Sequence, residues 1–381
     1  MAIHLTDTQR EVQALAREFA GNEIAPNAAR WNEAREVPLD LLRRLGGIGL
    51  LGVVVPEEYG GSGLDATSLC LVMEEIACAD AGVSVAVAAQ NGLVASPLLR
   101  AGTDEQKREW LPRLATGEVF GCYALTEPDV GSDAAALRTR AVATGDGWEV
   151  TGAKQWISNG GIADLFIIFA RTGGEGAHGI SAFITPRAEG LVVGREIPKM
   201  GLHSSSTVEI ALDGLRVPGS GLLGTEGGGL TLALATLDGG RITIAAQAVG
   251  IARAALELAV AYASERVAFG GPIARLQGVQ FPIAEVAAQI DAARLLTLHA
   301  AALRDAGRPH GAAGAKAKLF ASSVAVRAAD VAVQTLGGYG YSAEFAAERY
   351  YRDAKITEIY EGTSEIQRVV IARSLFGDAA R

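Results

Sequence analysis

The chain is poor in the residues that hold metals and staple folds. Its three cysteines, Cys70, Cys78 and Cys122, form no C-x-x-C pair, and five histidines leave a zinc site little support. So few thiols in 381 residues suit a reducing compartment. Positive charge is also scarce. Lys and Arg number 34 against 43 Asp and Glu, a net charge of −9, which argues against nucleic acid or an anionic membrane as the main partner. A local basic pocket for a phosphorylated ligand stays open. Mean hydropathy is +0.22, yet no unbroken apolar run approaches the ~18 residues of a spanning helix. The longest, LFIIFA at 165–170, is strand-sized. The first stretch carries Asp7, Glu11 and Glu18 and has no apolar signal core, so it reads as mature protein. A cytoplasmic location is expected, and a mature mitochondrial-matrix form is also compatible. Internal repeats and disordered tracts are absent.

What is there is globular: 49% hydrophobic and 20% charged residues, enough for two or three domains with real cores. The texture changes twice. Residues 1–118 are helix-like, punctuated at Pro26, Pro38, Pro56, Gly60–Gly61 and Pro97. Thr103 and Gln106 have capping-box spacing and predict a helix over TDEQKREWLPRL. From 119 to 228 the period becomes two, with Val, Ile, Phe and Thr between glycine turns, which predicts an antiparallel β domain, barrel or sandwich. From 229 to 381 the helical period returns as a bundle. Val286, Ile290, Ala293, Leu296, Ala300 and Leu303 recur at gaps of three and four, one buried stripe. The fold class is α+β multidomain.

Glycine patterns mislead here. G-x-G-x-x-G occurs at Gly47/Gly49/Gly52, Gly174/Gly176/Gly179 and Gly219/Gly221/Gly224. A dinucleotide fingerprint needs a strand before and a helix directly after, and none of the three has that context. A phosphate-binding G-x-x-x-x-G-K-[ST] loop is missing too.

The most informative run is RDAKITEIYEGTSEIQR, Arg352–Arg368. Ser364 and Gln367 read as a capping box ahead of an apolar helix, which sets Glu361 two or three residues before a helix N-terminus. A carboxylate on a glycine hinge there can act as a positioned base, or be a solvated turn residue. Upstream, YALTEPDVGSD (123–133) offers hydroxyls and a flexible glycine for a phosphate or flavin edge. In WISNG (156–160), Trp156 can cover a planar ring and Ser158 can donate to it. Arg241 of DGGR and Arg266 of ERVAFGGP are candidate phosphate ligands, and QTLGGYGY (334–341) permits close backbone approach.

In this order the segments closely resemble the acyl-CoA dehydrogenase family, nearest in texture to its short-chain, butyryl-type members, over almost the whole chain. The resemblance implies an α-helical, β-barrel, α-helical layout with FAD between the β domain and the last helices. It implies that Tyr123, Leu125, Thr126, Gly131 and Ser132 line the flavin and its ribityl chain. Trp156, Ile157 and Ser158 would cover the ring. Arg266, Phe269, Gln277, Gln334, Thr335, Leu336, Gly337 and Gly338 would reach FAD from a neighbouring subunit of a homotetramer. Thr363, Ser364 and Glu365 would close over the cofactor. Ser132, Asp238, Arg241, Tyr360 and Gly362 would touch the acyl-CoA. Glu361 matches the catalytic base, which takes the α-proton while the β-hydride leaves to flavin N5, giving a trans-2-enoyl-CoA. The thioester carbonyl would be polarised by the Glu361 N–H and a ribityl hydroxyl. Electrons would pass to an electron-transfer flavoprotein. Some relatives carry the base just before the Arg of D-x-G-R, and that position here is Gly240. Three departures stand out: Ser158 for a common Thr, His203 for an Arg, and Ala346 for a Pro. An acyl-CoA oxidase and a DNA-associated relative share the fold and are the alternatives.

Overall fold

The computed structural model describes residues 4–380. The first region holds seven α-helices: α1 (Asp7–Phe19), α2 (Ala28–Ala34), α3 (Leu39–Gly47), α4 (Ala66–Ala79), α5 (Ala81–Ala88), α6 (Ser96–Ala101) and α7 (Asp104–Thr116). The Thr103–Gln106 capping box that starts α7 is present with both hydrogen bonds. Pro97 does not break the chain as expected. It sits at the start of α6, where the widened π-helical turn Ala89–Ala95 accommodates it, so Ala81–Ala101 runs as one rod.

The middle region holds β1 (Gly121–Ala124), β2 (Arg140–Thr144), β3 (Gly147–Ser158), β4 (Leu165–Arg171), β5 (Ile180–Pro186), β6 (Leu191–Glu196), β7 (Thr207–Pro218) and β8 (Leu222–Leu223). Here the expectation of a purely antiparallel barrel is corrected. The sheet is mixed and open, in the order β6-β7-β3-β2-β4-β5-β8, with β1 pairing β4 in parallel. Turn signals suggested hairpins throughout. But β1 and β4 are joined through a long loop and the β2–β3 hairpin, a crossover long enough for parallel pairing.

The last region opens with α8 (Gly229–Glu265), a rod of 37 residues, followed by the short pair β9 (Val267–Ala268) and β10 (Gly271–Pro272). It continues as α9 (Gln277–Asp305), α10 (Gly311–Leu336), α11 (Ala347–Ile356) and α12 (Ser364–Phe376). In the α9 stripe Val286, Ile290, Ala293 and Ala300 are buried while Leu296 and Leu303 are half-buried. Three rods, Ala81–Ala101, Gly229–Glu265 and Gly311–Tyr341, are long and apolar enough to cross a membrane, but 83%, 67% and 50% of their apolar windows lie inside the molecule. Apolar on nearly every side, such rods need central positions. One continuous core unites helices of the first and last regions, whereas the sheet has separate cores on its two faces. The loop 201–206 ties all three regions together: the Leu202 N–H donates to Asp353 at 2.6 Å and Ser204 to Asp80 at 2.7 Å. His203 within it bonds the Lys199 carbonyl at 2.9 Å, a structural place for the residue that departs from the family pattern.

Candidate active site

After α11 the chain turns sharply and re-enters a helix at Ser364. The expected Ser364–Gln367 capping box is not formed. The cap is Thr363, whose hydroxyl accepts from the Ile366 N–H. Gln367 is buried and turns inward, donating to the Gly362 carbonyl at 2.7 Å. That carbonyl also accepts from the Lys318 ammonium on α10 at 2.5 Å. Between these ties Glu361 and Gly362 both adopt left-handed backbone, with φ of 50° and 94°. For a glutamate this conformation is strained, and it persists only where surroundings over-determine it.

The turn drives the Glu361 side chain into the interior against α8. Its Oε2 is buried with no hydrogen-bond partner among the described residues. A Cβ placed on Gly240 would lie 1.7 Å from that oxygen. The carboxylate therefore occupies the space that a side chain at position 240 would fill, and only one of the two positions can carry a base. Burial pushes the Glu361 carboxyl up to about 7, opposed by the Lys318 and Arg241 cations. Arg241 is nearly buried, bonds Asp238 at 2.5 Å, and leaves its Nε unpartnered. From the sheet, Tyr123 brings a buried hydroxyl that also has no partner, and Glu361 is among the charges acting on it. Tyr360 meets Gln247 of α8, and Gln247 in turn donates to the Ala81 carbonyl and to Ser84.

Two further segments of the sheet carry residues expected from the sequence to meet the cofactor. Leu125, Thr126 and Glu127 follow β1 and are pinned to β3: the Gln155 N–H donates to the Thr126 carbonyl at 2.9 Å, and the buried Lys154 ammonium donates to Leu125 O at 3.1 Å and Glu127 at 2.8 Å. The β3–β7 register slips between Lys154 and Ile157, and in this bulge Trp156 takes φ 63° and stands out of the sheet, 54% exposed. Ile157 is buried beneath it and Ser158 is half-buried beside it. These residues fit a flavin: an open indole face for a planar ring, the Thr126 and Ser158 hydroxyls for its polar edge, and a buried Tyr123 hydroxyl with no partner among the described residues. Gly131 and Ser132 lie exposed farther along the same loop.

Tyr123 of the middle region and Arg241, Tyr360, Glu361 and Gly362 of the last thus converge, with Asp238 joined through Arg241. Thr363, Ser364 and Glu365 form the first turn beyond the carboxylate. Arg266, Phe269, Gln277, Gln334, Thr335, Leu336, Gly337 and Gly338 belong to a second locus around β9–β10 and the end of α10. There Phe269 is 94% exposed in left-handed backbone, Leu336 is buried, and the Arg266 guanidinium lies 6.0 Å from the Tyr339 ring.

Three contributors were not picked out from the sequence: Lys318, the Lys154–Glu127 pair and Gln247. Each had a signal. Lys318 shares the buried stripe of Ala321, Ser322 and Ala325 on α10. Lys154 is in phase with the inward Val150 of β3. Gln247 lies two helical turns from Gly240 on the same face of α8.

Family models described as the N-terminal, middle and C-terminal domains of acyl-CoA dehydrogenase match residues 6–118, 122–215 and 227–376. The chain is 45% identical to the mitochondrial short-chain specific acyl-CoA dehydrogenase of Bos taurus, covering 98% of this chain and 91% of that one. Its fold superposes on butyryl-CoA dehydrogenase from Megasphaera elsdenii with a TM-score of 0.97 at 42% identity, over 99% and 100% of the two chains. It also matches a chain in the structure of the electron transferring flavoprotein of Acidaminococcus fermentans, with a TM-score of 0.98 at 44% identity over 99% and 100%.

Proposed function

The chain belongs to the acyl-CoA dehydrogenase family, and from that premise we propose that Glu361 is its base, short acyl-CoA thioesters its substrates and an electron-transfer flavoprotein its acceptor. It is a flavin-dependent oxidoreductase that dehydrogenates acyl-CoA, with FAD as cofactor. The observation that carries the role of Glu361 is its unpartnered carboxylate oxygen, packed against Gly240 where no side chain competes.

A thioester α-proton is weakly acidic, so the base must be both aimed and poised. The left-handed turn aims it, and a carboxyl raised to about 7 is matched to neutral working pH. The Glu361 backbone N–H donates to no carbonyl among the described residues, which leaves it for the thioester oxygen. Trp156, Ser158 and Thr126 would hold FAD, which when bound would supply the acceptor for a hydride from the substrate β-carbon. Tyr123 from the sheet and Arg241 from α8 both interact with Glu361, and its Oε2, buried from water, would take the α-proton.

Short acyl chains are supported by Gln247. Seven residues from Gly240 is about 10.5 Å along α8, and there Gln247, Tyr360 and Ser84 form a buried polar plug. An apolar tail could pass that depth only by breaking these bonds and leaving the polar groups without partners. Electron-transfer flavoprotein is supported by the Acidaminococcus match. A homotetramer is supported by the aromatic residues left uncovered around Arg266, where Phe269 and Tyr341 are 94% and 87% exposed. The test is flavin bleaching under anaerobic conditions across C4 to C12 acyl-CoAs, followed by an oxygen pulse. Bleaching strongest at C4 with slow reoxidation is expected; preference for long chains, or fast reoxidation with peroxide, would contradict this reading.

A further inference from the structure

We propose that Lys318 is the positioning residue for Glu361: from α10 its ammonium fixes the Glu361–Gly362 turn through the Gly362 carbonyl and supplies the counter-charge that keeps the carboxylate ionised. The inference rests on Glu361 being the base.

Lys318 is fully buried in an alanine-rich stretch, with Ala315, Ala317 and Ala321 buried around it. An ammonium in such surroundings is strongly disfavoured unless it is compensated. Among the described residues its one hydrogen-bond acceptor is the Gly362 carbonyl at 2.5 Å, and no carboxylate lies within ion-pair distance. Burial accordingly pulls the ammonium down to about 8, with Glu361 its largest stabilising charge. The dependence is mutual, since Lys318 is also the larger of the two cationic influences on Glu361.

The other charged and titratable groups around the pair do not replace it. Arg241 comes from α8 but is already engaged by Asp238 at 2.5 Å, which offsets its charge. Tyr123 from β1 and Tyr360 from the turn are both pushed upward by burial, so they stand neutral. Glu358 and Glu365 act on Lys318 more weakly than Glu361 does, and both are tied to other cations, Lys355 at 2.6 Å and Arg368 at 3.1 Å. The carbonyl clamp itself is redundant, because the neutral Gln367 also donates to Gly362 O. The charge is not redundant.

The two functions separate by substitution. Lys318→Met removes donor and charge, whereas Gln367→Met removes a donor alone. With holoenzyme, kcat/KM should rise with pH through the free-enzyme value of Glu361, about 7. K318M is expected to move this acid limb up by about one unit. Ionised Glu361 at pH 7 then drops from about one half to about one tenth, a roughly fivefold loss that vanishes by about pH 9. Q367M should leave the limb in place. The second readout is thermal denaturation at pH 7.5, between the Glu361 and Lys318 values of about 7 and about 8, where both groups are mostly charged: the destabilisation by K318M should shrink by at least half in an E361Q background, because a neutral amide needs no counter-charge. Where K318M does not fold, K318Q, which keeps a donor without the charge, carries the same expectations. An unshifted limb, including a uniform loss at every pH, or additive effects in the double variant, overturns the role of Lys318. The underlying reading fails separately: E361Q turning over like the wild type would remove Glu361 itself.

Discussion

Gly240→Ala applies the most specific pressure to the site. The added methyl would lie 1.7 Å from Glu361 Oε2, and Cβ atoms essentially never approach closer than 3.0 Å, so the carboxylate must retreat by about 1.3 Å. It has little freedom to do so, because its backbone is left-handed and the next carbonyl is held from two sides. A displacement of about 1 Å at a reacting group costs roughly a hundredfold in rate, or about 2.7 kcal/mol in the barrier. The helix should not suffer, since alanine is better than glycine in a helix interior by about 1 kcal/mol. The assay is single-turnover flavin reduction by butyryl-CoA, with a thermal melt as control. G240A should melt no lower than wild type, retain FAD and reduce about a hundred times more slowly. In an E361D background, where the carboxylate is one methylene shorter, the same substitution should cost far less. A G240A rate within about threefold of wild type would refute the placement of Glu361 against α8.

Three further outcomes are expected. Lys154→Met leaves Glu127 buried without its cation and should cost about 3 kcal/mol in denaturant melts, with weaker flavin retention because the Leu125 carbonyl loses its donor; a loss below about 1 kcal/mol would show the pair to be dispensable. Asp353 is buried and raised to about 7. The fold favours its protonated form, so its stabilising share is complete below about pH 4 and is lost as pH rises through about 7. D353N, which can still accept the Leu202 N–H, should flatten the fall in Tm over that window, and an unchanged slope would contradict the assignment. Gln247→Ala should raise kcat/KM for hexanoyl- and octanoyl-CoA relative to butyryl-CoA by about tenfold, and an unaltered chain-length profile would remove Gln247 as the floor of the acyl pocket.

Much of this architecture was legible because it is written in local patterns. The α9 stripe, the Thr103 cap and the buried run Leu165–Ala170 of β4 follow from periods and caps that depend on neighbours in sequence. The place of Glu361, a carboxylate beside a glycine just ahead of a helix, was legible for the same reason, while its burial against α8 was not. What escaped depends on residues far apart. Whether β1 pairs parallel or antiparallel with β4 is decided by the path of the intervening chain. Gln367 was assigned to a capping box, but the interior offered it the Gly362 carbonyl instead, and the cap passed to Thr363. The spacing of Lys318 with Ala321, Ser322 and Ala325 marks it as inward-facing, but its acceptor, the Gly362 carbonyl 44 residues on, appears only when α10 is packed against the turn.

The central claim is that Glu361 takes the α-proton of a bound acyl-CoA. Anaerobic mixing of holoenzyme with butyryl-CoA, wild type beside Glu361→Gln, tests it most directly. The account predicts that both proteins are yellow and bind the thioester, that the wild type bleaches within the mixing experiment, and that E361Q bleaches at least a thousand times more slowly, about 4 kcal/mol of lost transition-state stabilisation. Bleaching of E361Q at a rate near that of the wild type would contradict it.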